Sequence, residues 1–371
     1  MEPLLKSLRI TLRLLVVFVA IFLAAELVLR LTELARYGTI IHRAQVQTFE
    51  KGIGYKSIPG LSATLTDLAG KRNYNVTYDP WGTRIAQGEN RPVLDTNFNI
   101  YFLGDSITAS EYLPIEETFC EIIYRRLHAK RKDLVCFNGA VGGTGTQEQI
   151  DILKKFGMGT KPDLVVLFYY LNDIRPGVGF GEYLIPKALW FPTYKFCMTH
   201  SSAFNAIMNS SWSLRLFYKE DFNNFNWVET YQAKAWLTNE VASLKMIDEA
   251  RNDWGSSFRP EARPVIESDL RMLKNFLDSK GVKLAVVIFP VRMQIESKFV
   301  EDTPQKVVSE ILNGMQVPYL DLLPVLRGKA TGELYLDHCH FTSKGQALVA
   351  DLVMPFMTAL TPQGPERSEK P

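Results

Sequence analysis

Apolar residues are concentrated near the N-terminus of the chain. Residues 14–25 read LLVVFVAIFLAA without a polar interruption, and the apolar stretch extends from Ile10 to Leu31 around a single Glu26. At about 1.5 Å per residue, a helix of this length crosses a hydrocarbon core of roughly 30 Å. The pattern therefore predicts one membrane helix, with residues 1–36 as anchor and flank. Glu26 is tolerable in such a helix only near an interface.

A cleaved signal peptide is the main alternative, because Lys6, Arg9 and Arg13 form a basic segment before the apolar core. No small-x-small cleavage pattern follows that core, since Leu23 occupies the −3 position relative to Glu26. A helix lying in the membrane interface is a third alternative. Basic residues flank both ends of the span, so the charges alone do not determine its orientation.

Beyond the anchor, short apolar runs alternate with helical patterns. Runs of strand length lie at 99–103, 134–137, 164–170, 284–289 and 317–320. Helical periodicity covers 116–131, 147–156, 267–279, 305–315 and 343–360. Continuous apolar strands separated by helices are typical of a parallel sheet that is buried on both faces. We therefore predict a three-layer α/β/α fold with a five-stranded parallel sheet and a ligand site at the carboxyl ends of the strands.

Three further segments complete the predicted domain organisation. Residues 37–97 form an irregular, β-rich lead-in to the main domain at 98–360, and residues 361–371 form a polar, disordered tail. An insertion at 177–260 is rich in aromatic residues, and fifteen of them lie between Phe180 and Trp236. The insertion is predicted to be helical. Its tryptophans are Trp190, Trp212, Trp227, Trp236 and Trp254.

Two roles are open for the aromatic insertion. Its rings fill the small core of a helical cap, or they form a lid that offers stacking faces to a sugar or an apolar wall to an acyl chain. Core burial is the commoner fate of Phe and Trp side chains.

Composition excludes several classes of protein. Hydrophobic residues make up 46% of the chain and charged residues 22%, as in an ordinary globular protein. The formal net charge of +2 gives no basic excess for binding nucleic acid. Four cysteines in 371 residues do not make a disulfide scaffold, and their spacing selects none of the three possible full pairings.

Polar and glycine-rich segments follow the first three predicted strands. The first strand ends in Gly104-Asp105-Ser106, where a serine is exposed at a strand-to-helix turn or acts as a helix N-cap. The loop at 138–145 is rich in glycine, but it lacks the G-x-G-x-x-G spacing of a dinucleotide site. Asn172-Asp173 follows the third strand, where a side-chain amide can donate to a developing oxyanion or simply terminate the strand.

The segment Asp337-His338-Cys339-His340 precedes the last predicted helix. In a tight turn, residues i and i+3 lie on one side, so Asp337 can accept a hydrogen bond from His340 while His340 faces the serine. The carboxylate would then hold the imidazole in the tautomer that accepts the serine proton. A metal site formed by Asp337, His338 and His340 is the alternative, although no further ligand cluster lies at a suitable spacing.

Together, these four segments resemble the blocks of the SGNH/GDSL hydrolase superfamily. The matching segments are GDSIT at 104–108, NGAVGG at 138–143, LND at 171–173 and DHCH at 337–340. The resemblance implies a flavodoxin-like SGNH fold, with Ser106 as nucleophile and Asp337 and His340 as its partners. It also implies an oxyanion hole made by the Ser106 N–H, the Gly143 N–H and the Asn172 side chain. The possible supporting residues are Asp105, Asp173 and His338.

The segment from Asp79 to Arg84 (DPWGTR) looks like the N-x-x-G-x-R lead-in of bacterial membrane-anchored members, with Asp79 replacing the usual Asn. Leu171 and Ala140 replace glycines found in many members, which puts the width of the oxyanion pocket in question. From anchored relatives we carry over the expectation that the main domain lies outside the cytoplasm.

The resemblance implies a serine-dependent esterase that forms an acyl-enzyme. Its expected substrate is an O-acyl or O-acetyl ester of a glycan, a lipid or a small molecule. Its expected partners are this ester and, through the N-terminal helix, the membrane, with no nucleic acid, cofactor or metal. Two alternatives are an O-acyltransferase acting on a cell-surface polysaccharide and a non-catalytic, membrane-anchored glycan-binding protein.

Overall fold

A computed structural model describes residues 2–42, 46–50, 53–67, 72–174, 187–208, 227–251, 253–329 and 331–362. The strands are β1 (Gln47–Glu50), β2 (Gly54–Ser57), β3 (Ser62–Asp67), β4 (Arg72–Tyr78), β5 (Arg84–Ile85), β6 (Phe98–Gly104), β7 (Leu134–Asn138), β8 (Leu164–Tyr169), β9 (Lys283–Ile288) and β10 (Tyr319–Asp321). The first helices are α1 (Glu2–Tyr37), α2 (Ser106–Ala109), α3 (Phe119–Lys130), α4 (Thr146–Lys155), α5 (Lys187–His200) and α6 (Ser202–Met208). The later helices are α7 (Trp227–Ala233), α8 (Glu240–Glu249), α9 (Ala262–Asp278), α10 (Arg292–Glu296), α11 (Thr303–Gly314), α12 (Leu323–Leu326) and α13 (Ser343–Leu360).

Five parallel strands form the centre of the main sheet, in the spatial order β10-β9-β8-β6-β7. In chain order these are the fifth, fourth, third, first and second of the five predicted strands, which is the order of a flavodoxin-like sheet. Strands β6, β7 and β8 are buried along their whole length, as their uninterrupted apolar sequences require. The predicted five-stranded parallel sheet is therefore confirmed.

Helices cover both faces of this sheet. The crossover helix α3 packs with α13, whereas α9 packs with both α4 and α11. Right-handed crossovers from β6 to β7 and from β7 to β8 leave the sheet on opposite faces, because the strand order reverses at β6. The predicted three-layer α/β/α architecture is therefore confirmed, and the reversal opens a crevice at the carboxyl ends of β6 and its neighbours.

The lead-in extends the sheet with antiparallel strands, in the order β7-β5-β4-β3. Strand β5 pairs with the end of β7 at Arg84↔Asn138, and β4 pairs with β5 at Tyr78↔Arg84. A separate antiparallel hairpin is formed by β1 and β2. The β-rich character of this segment was expected from its sequence, but its attachment to the edge of the main sheet was not.

The chain divides into two compact units. Unit 1 contains residues 1–45, 64–74 and 181–219, and unit 2 contains residues 46–63, 75–180 and 220–371. The whole parallel sheet lies in unit 2, together with all the residues of the candidate site.

Unit 1 is built around α1. Over Leu5–Arg36 this helix is long and apolar enough to cross a membrane, and its most apolar stretch is not buried against other parts of the protein. Within the apolar sequence, the Glu26 carboxylate accepts hydrogen bonds from the Ser201 hydroxyl (2.8 Å) and from the N–H groups of Ser202 (3.0 Å) and Ala203 (2.7 Å). These groups belong to the start of α6, where backbone N–H groups have no partner within the helix. Glu26 therefore has hydrogen-bond partners inside unit 1.

The aromatic insertion contributes to both units. Helices α5 and α6 belong to unit 1, whereas α7 and α8 belong to unit 2. Within unit 2, Trp227, Trp236 and Trp254 are almost fully buried in the main hydrophobic core. Core packing is therefore the role of these three tryptophans. The side chains of Trp190 and Trp212, like residues 363–371 of the tail, lie outside the described residues.

Candidate active site

The four polar segments singled out in the sequence lie in loops at one end of the parallel sheet. Ser106 follows β6, the glycine-rich loop follows β7, and Asn172 follows β8. The register Gly104↔Phe168 places the ends of β6 and β8 side by side. Parallel pairing therefore gathers segments that are far apart in sequence.

Ser106, His340 and Asp337 form a hydrogen-bonded line. The Ser106 Oγ lies 3.0 Å from the His340 Nε2, and the His340 Nδ1 lies 2.7 Å from the Asp337 Oδ2. With the imidazole proton on Nδ1, the ring donates to the carboxylate and its Nε2 accepts from the serine hydroxyl. This arrangement suits the removal of a proton from the serine.

The serine is the first residue of α2, and its neighbour Asp105 is the N-cap. The Asp105 carboxylate accepts a hydrogen bond from the Ile107 N–H at 2.9 Å. The alternative role of Ser106 as the cap is therefore wrong, because the aspartate already fills it. This leaves the Ser106 hydroxyl directed at His340.

Asp337 also shapes the turn that carries its partner. Its Oδ1 accepts hydrogen bonds from the backbone N–H groups of Cys339 (2.8 Å) and His340 (2.7 Å). Burial raises the pKa of Asp337, but the hydrogen bond and the charge of His340 outweigh burial and hold this pKa well below its usual range. Asp337 is therefore ionised when it binds the imidazole.

Two opposing effects act on the pKa of His340. Burial lowers it, whereas the hydrogen bond and the negative charge of Asp337 raise it, with a smaller contribution from the charge of Asp105. The net shift is upward from the ordinary histidine value. A more basic imidazole is a stronger proton acceptor for the serine, provided that the pH keeps it neutral.

The glycine-rich loop lies beside the serine. A Cβ added to Gly142 would lie 3.5 Å from the Cβ of Ser106, whereas one added to Gly143 would meet open space. Gly143 has a φ of +74°, a conformation that glycine adopts without strain. Its backbone therefore adopts a turn that would be costly for most other residues.

Asn172 is half-buried in the loop after β8. Its amide oxygen is buried and has no hydrogen-bond partner among the described residues. The structure therefore places Asn172 beyond the strand next to β6, and no direct contact with Ser106 is described.

The three possible supporting residues have different surroundings. Asp173 is buried and accepts hydrogen bonds from the Tyr170 N–H and the Gln149 amide, both at 3.1 Å. Burial raises the pKa of Asp173 strongly and that of Asp105 to about 6. His338 packs edge-to-face against Trp227 at 4.6 Å, and burial lowers its pKa. Among the described contacts, none joins His338 to Ser106.

Asp337, Cys339 and His340 form a possible metal-ligand group, because their ligand atoms lie within 4.8 Å of one another. Two features oppose metal binding there. The His340 Nδ1 is already bound to Asp337, and burial raises the pKa of the Cys339 thiol well above its usual range, which disfavours the thiolate that a metal requires. All four cysteines of the chain are free.

Sequence reasoning missed the residues that support this cluster from outside the motifs. Tyr112 packs its ring 4.9 Å from the imidazole of His340, and its hydroxyl accepts hydrogen bonds from the Phe341 N–H (3.3 Å) and the Gln346 amide (3.1 Å). The Gln346 amide also donates to the Ser110 hydroxyl at 2.8 Å. Neither Tyr112 nor Gln346 belongs to a recognisable motif, so no pattern in a single sequence identifies them.

Arg84 gives the lead-in motif a structural role. Its side chain is only 2% exposed, and the guanidinium donates to backbone carbonyls of Ala109 (2.9 Å), Ser110 (2.6 Å) and Leu113 (2.6 Å). These carbonyls lie at and after the end of α2, where they lack partners within the helix. Arg84 therefore fixes the loop that follows Ser106.

Comparison with known proteins agrees with the motifs. Residues 100–187 match the model of the GDSL-like lipase/acylhydrolase family. No curated protein matches the chain.

Solved structures with similarity to the chain include a lipase/acylhydrolase from Enterococcus faecalis, at 14% identity and a TM-score of 0.41, with 72% of this chain and 99% of that chain covered. An acetyl xylan esterase matches at 14% identity and a TM-score of 0.40, with 71% and 100% covered. Another acetyl xylan esterase, from Geobacillus stearothermophilus, matches at 12% identity and a TM-score of 0.41, with 73% and 100% covered.

The segment that matches the family model contains three of the four motif blocks, including Ser106, Gly143 and Asn172. Residues 100–187 therefore match part of a GDSL-like lipase/acylhydrolase domain, and this match supports a hydrolase of ester bonds.

Proposed function

We propose that the protein hydrolyses an O-acyl or O-acetyl ester of a glycan, a lipid or a small molecule through an acyl-enzyme on Ser106. The observation that carries this proposal is the hydrogen-bonded line from Ser106 through His340 to Asp337. In the first step, the Ser106 Oγ attacks the ester carbonyl carbon while the His340 Nε2 takes the hydroxyl proton. The tetrahedral intermediate collapses, and the imidazolium returns this proton to the departing alcohol.

In the second step, water attacks the acyl-enzyme and gives a proton to the same imidazole nitrogen. The C–O bond to Ser106 breaks, the serine regains its proton from His340, and the free acid leaves. Asp337 keeps its charge throughout and stabilises the imidazolium that forms in each step. The role of Asp337 therefore depends on its remaining ionised, in line with the direction of its pKa shift.

The negative charge that develops on the carbonyl oxygen requires hydrogen-bond donors. We assign these to the Ser106 N–H at the start of α2, to the Gly143 N–H and to the Asn172 side-chain amide. The position of Gly142 beside the Ser106 Cβ supports the assignment of this loop. Donors held in place before the reaction lower the barrier without further reorganisation.

We also propose that α1 is an uncleaved membrane anchor and that the catalytic domain lies outside the cytoplasm. The hydrogen bonds of Glu26 to residues 201–203 support retention of the helix, because removal of α1 would leave the start of α6 without this cap. The long side chain of Arg13 can extend to a headgroup region, whereas the Arg30 guanidinium donates to the Glu26 carboxylate and to the His200 carbonyl within unit 1. The extracytoplasmic placement rests on the resemblance to anchored members of the superfamily.

Replacement of the proposed nucleophile tests the mechanism. In Ser106→Ala, turnover of a p-nitrophenyl ester is expected to fall by about 10⁴-fold or more, because no acyl-enzyme can form. Labelling by a fluorophosphonate, read by intact mass, is expected to disappear as well. Ser343→Ala is the matched control, since Ser343 is likewise the first residue of a helix near His340. The control should keep both properties, and wild-type turnover in Ser106→Ala would refute the mechanism.

The pH dependence tests the role of His340 as base. Because only the neutral imidazole accepts a proton, kcat/KM should fall as the pH drops through the pKa of His340, which lies above the ordinary histidine value. Asp105→Asn keeps the helix cap but removes a charge that raises the pKa of His340. The acidic limb of its kcat/KM–pH profile should therefore move to lower pH. Asp351→Asn, on the exposed side of α13, is the control and should leave the limb in place. A limb that moves upward in Asp105→Asn would contradict the assignment.

Fractionation of bacterial cells that produce the full chain tests the anchor. The protein is expected to stay with the membranes after an alkaline carbonate wash. Its intact mass should show that the residues before Glu26 are still attached. When only the outer membrane of the cells is permeabilised and the cytoplasmic membrane is intact, added protease should digest the catalytic domain. A soluble product cleaved before Glu26 would show instead that α1 is a signal peptide.

A further inference from the structure

The peptide unit between Gly142 and Gly143 is held from the lead-in segment. The carbonyl oxygen of Gly142 accepts a hydrogen bond from the Nε2 of Gln47 at 3.3 Å. This peptide is trans, so its C=O and its N–H point in opposite directions. A donor that fixes the Gly142 carbonyl therefore also fixes the direction of the Gly143 N–H.

Gln47 is itself held by Glu111, which is held in turn by Tyr78. Its Nε2 also lies 3.3 Å from the Oε2 of Glu111, and the Oε1 of Glu111 accepts a short hydrogen bond from the Tyr78 hydroxyl. Tyr78 is almost fully buried in β4. A carboxylate thus holds the Gln47 amide, and a buried phenol of unit 2 holds that carboxylate.

The Gln47 amide and the Ser106 side chain both lie close to Gly142. A Cβ built on Gly142 would be 3.1 Å from the Nε2 of Gln47 and 3.5 Å from the Cβ of Ser106. Gln47 and Ser106 therefore both lie close to Gly142, although their positions in the sequence differ by 59. Gln47 is the first residue of β1, where pairing with Ser57 of β2 holds its backbone.

Hydrogen bonds in series reinforce one another. A donor on a peptide carbonyl polarises the amide and makes the N–H of the same peptide a better donor. Oxyanion stabilisation depends on donors that are oriented before charge develops. The Gln47 donor on the Gly142 carbonyl supplies both effects to the Gly143 N–H, whereas Glu111, which accepts hydrogen bonds from both Gln47 and Tyr78, holds the Gln47 amide in place.

We propose that Gln47 is a positioning residue that aims the Gly142–Gly143 peptide at the oxyanion. This inference rests on the proposed function, because it takes the Gly143 N–H as an oxyanion donor. It assigns a part in turnover to the β1–β2 hairpin, which lies outside the segment that matches the family model.

Gln47→Met tests the proposal, because methionine has nearly the shape of glutamine but no N–H donor. We expect kcat to fall by about tenfold, which is less than the 10²–10³-fold typical of losing one oxyanion donor outright. KM for a p-nitrophenyl ester should change by less than about twofold, because the bound substrate carries no oxyanion and the negative charge develops only as the reaction proceeds. Thr48→Val in the same strand is the matched control, and its kcat should equal that of the wild type.

Each kcat is divided by the fraction of protein that a fluorophosphonate labels on Ser106, so misfolded protein does not count as slow enzyme. Gln47→Asn is the second variant, since it keeps the amide but shortens its reach, and it should show the same fall in kcat. An unchanged normalised kcat in both variants, or a rise in KM alone, would overturn the positioning role. Failure of the proposed function would appear separately, as turnover or labelling that survives in Ser106→Ala.

Discussion

The parallel pairing of β6 with its two neighbours is the constraint on which the site depends. Because these strands run in one direction, their carboxyl ends lie at one edge, and the loops that follow them meet there. Ser106 and His340 are 234 residues apart in sequence, yet their side chains are 3.0 Å apart. The burial of β6, β7 and β8 on both faces makes this pairing costly to disturb, since any shift would expose apolar surface.

The electrostatics of the site follow from this burial. A partly buried carboxylate at Asp337 stays ionised because it is paired with His340, whereas burial raises the pKa of Asp105 and Asp173. The imidazole therefore has one firmly ionised partner in Asp337, whereas burial pushes Asp105 and Asp173 toward the neutral form. The lead-in completes the site mechanically, since Arg84 holds the loop after the serine and Gln47 holds the glycine-rich loop.

The sequence predicted the features that depend on local pattern. Uninterrupted apolar runs identified all five parallel strands, and motifs at their ends identified the residues that meet at Ser106. Features that depend on distant partners could not be predicted. The partners of Glu26 lie at residues 201–203, far from it in sequence, and nothing in the pattern around Gln47 or Arg84 indicates that these residues reach the loops of the site.

The central claim is that an ester passes its acyl group to Ser106. The most direct measurement is to quench turnover of an acetyl ester in acid within milliseconds and to map the protein by peptide mass spectrometry. The account predicts an added acetyl mass on the peptide that contains Ser106, formed within the burst of alcohol release and lost as water completes the cycle. An acetyl mass on another residue, or a burst of alcohol with no acyl-protein, would contradict it.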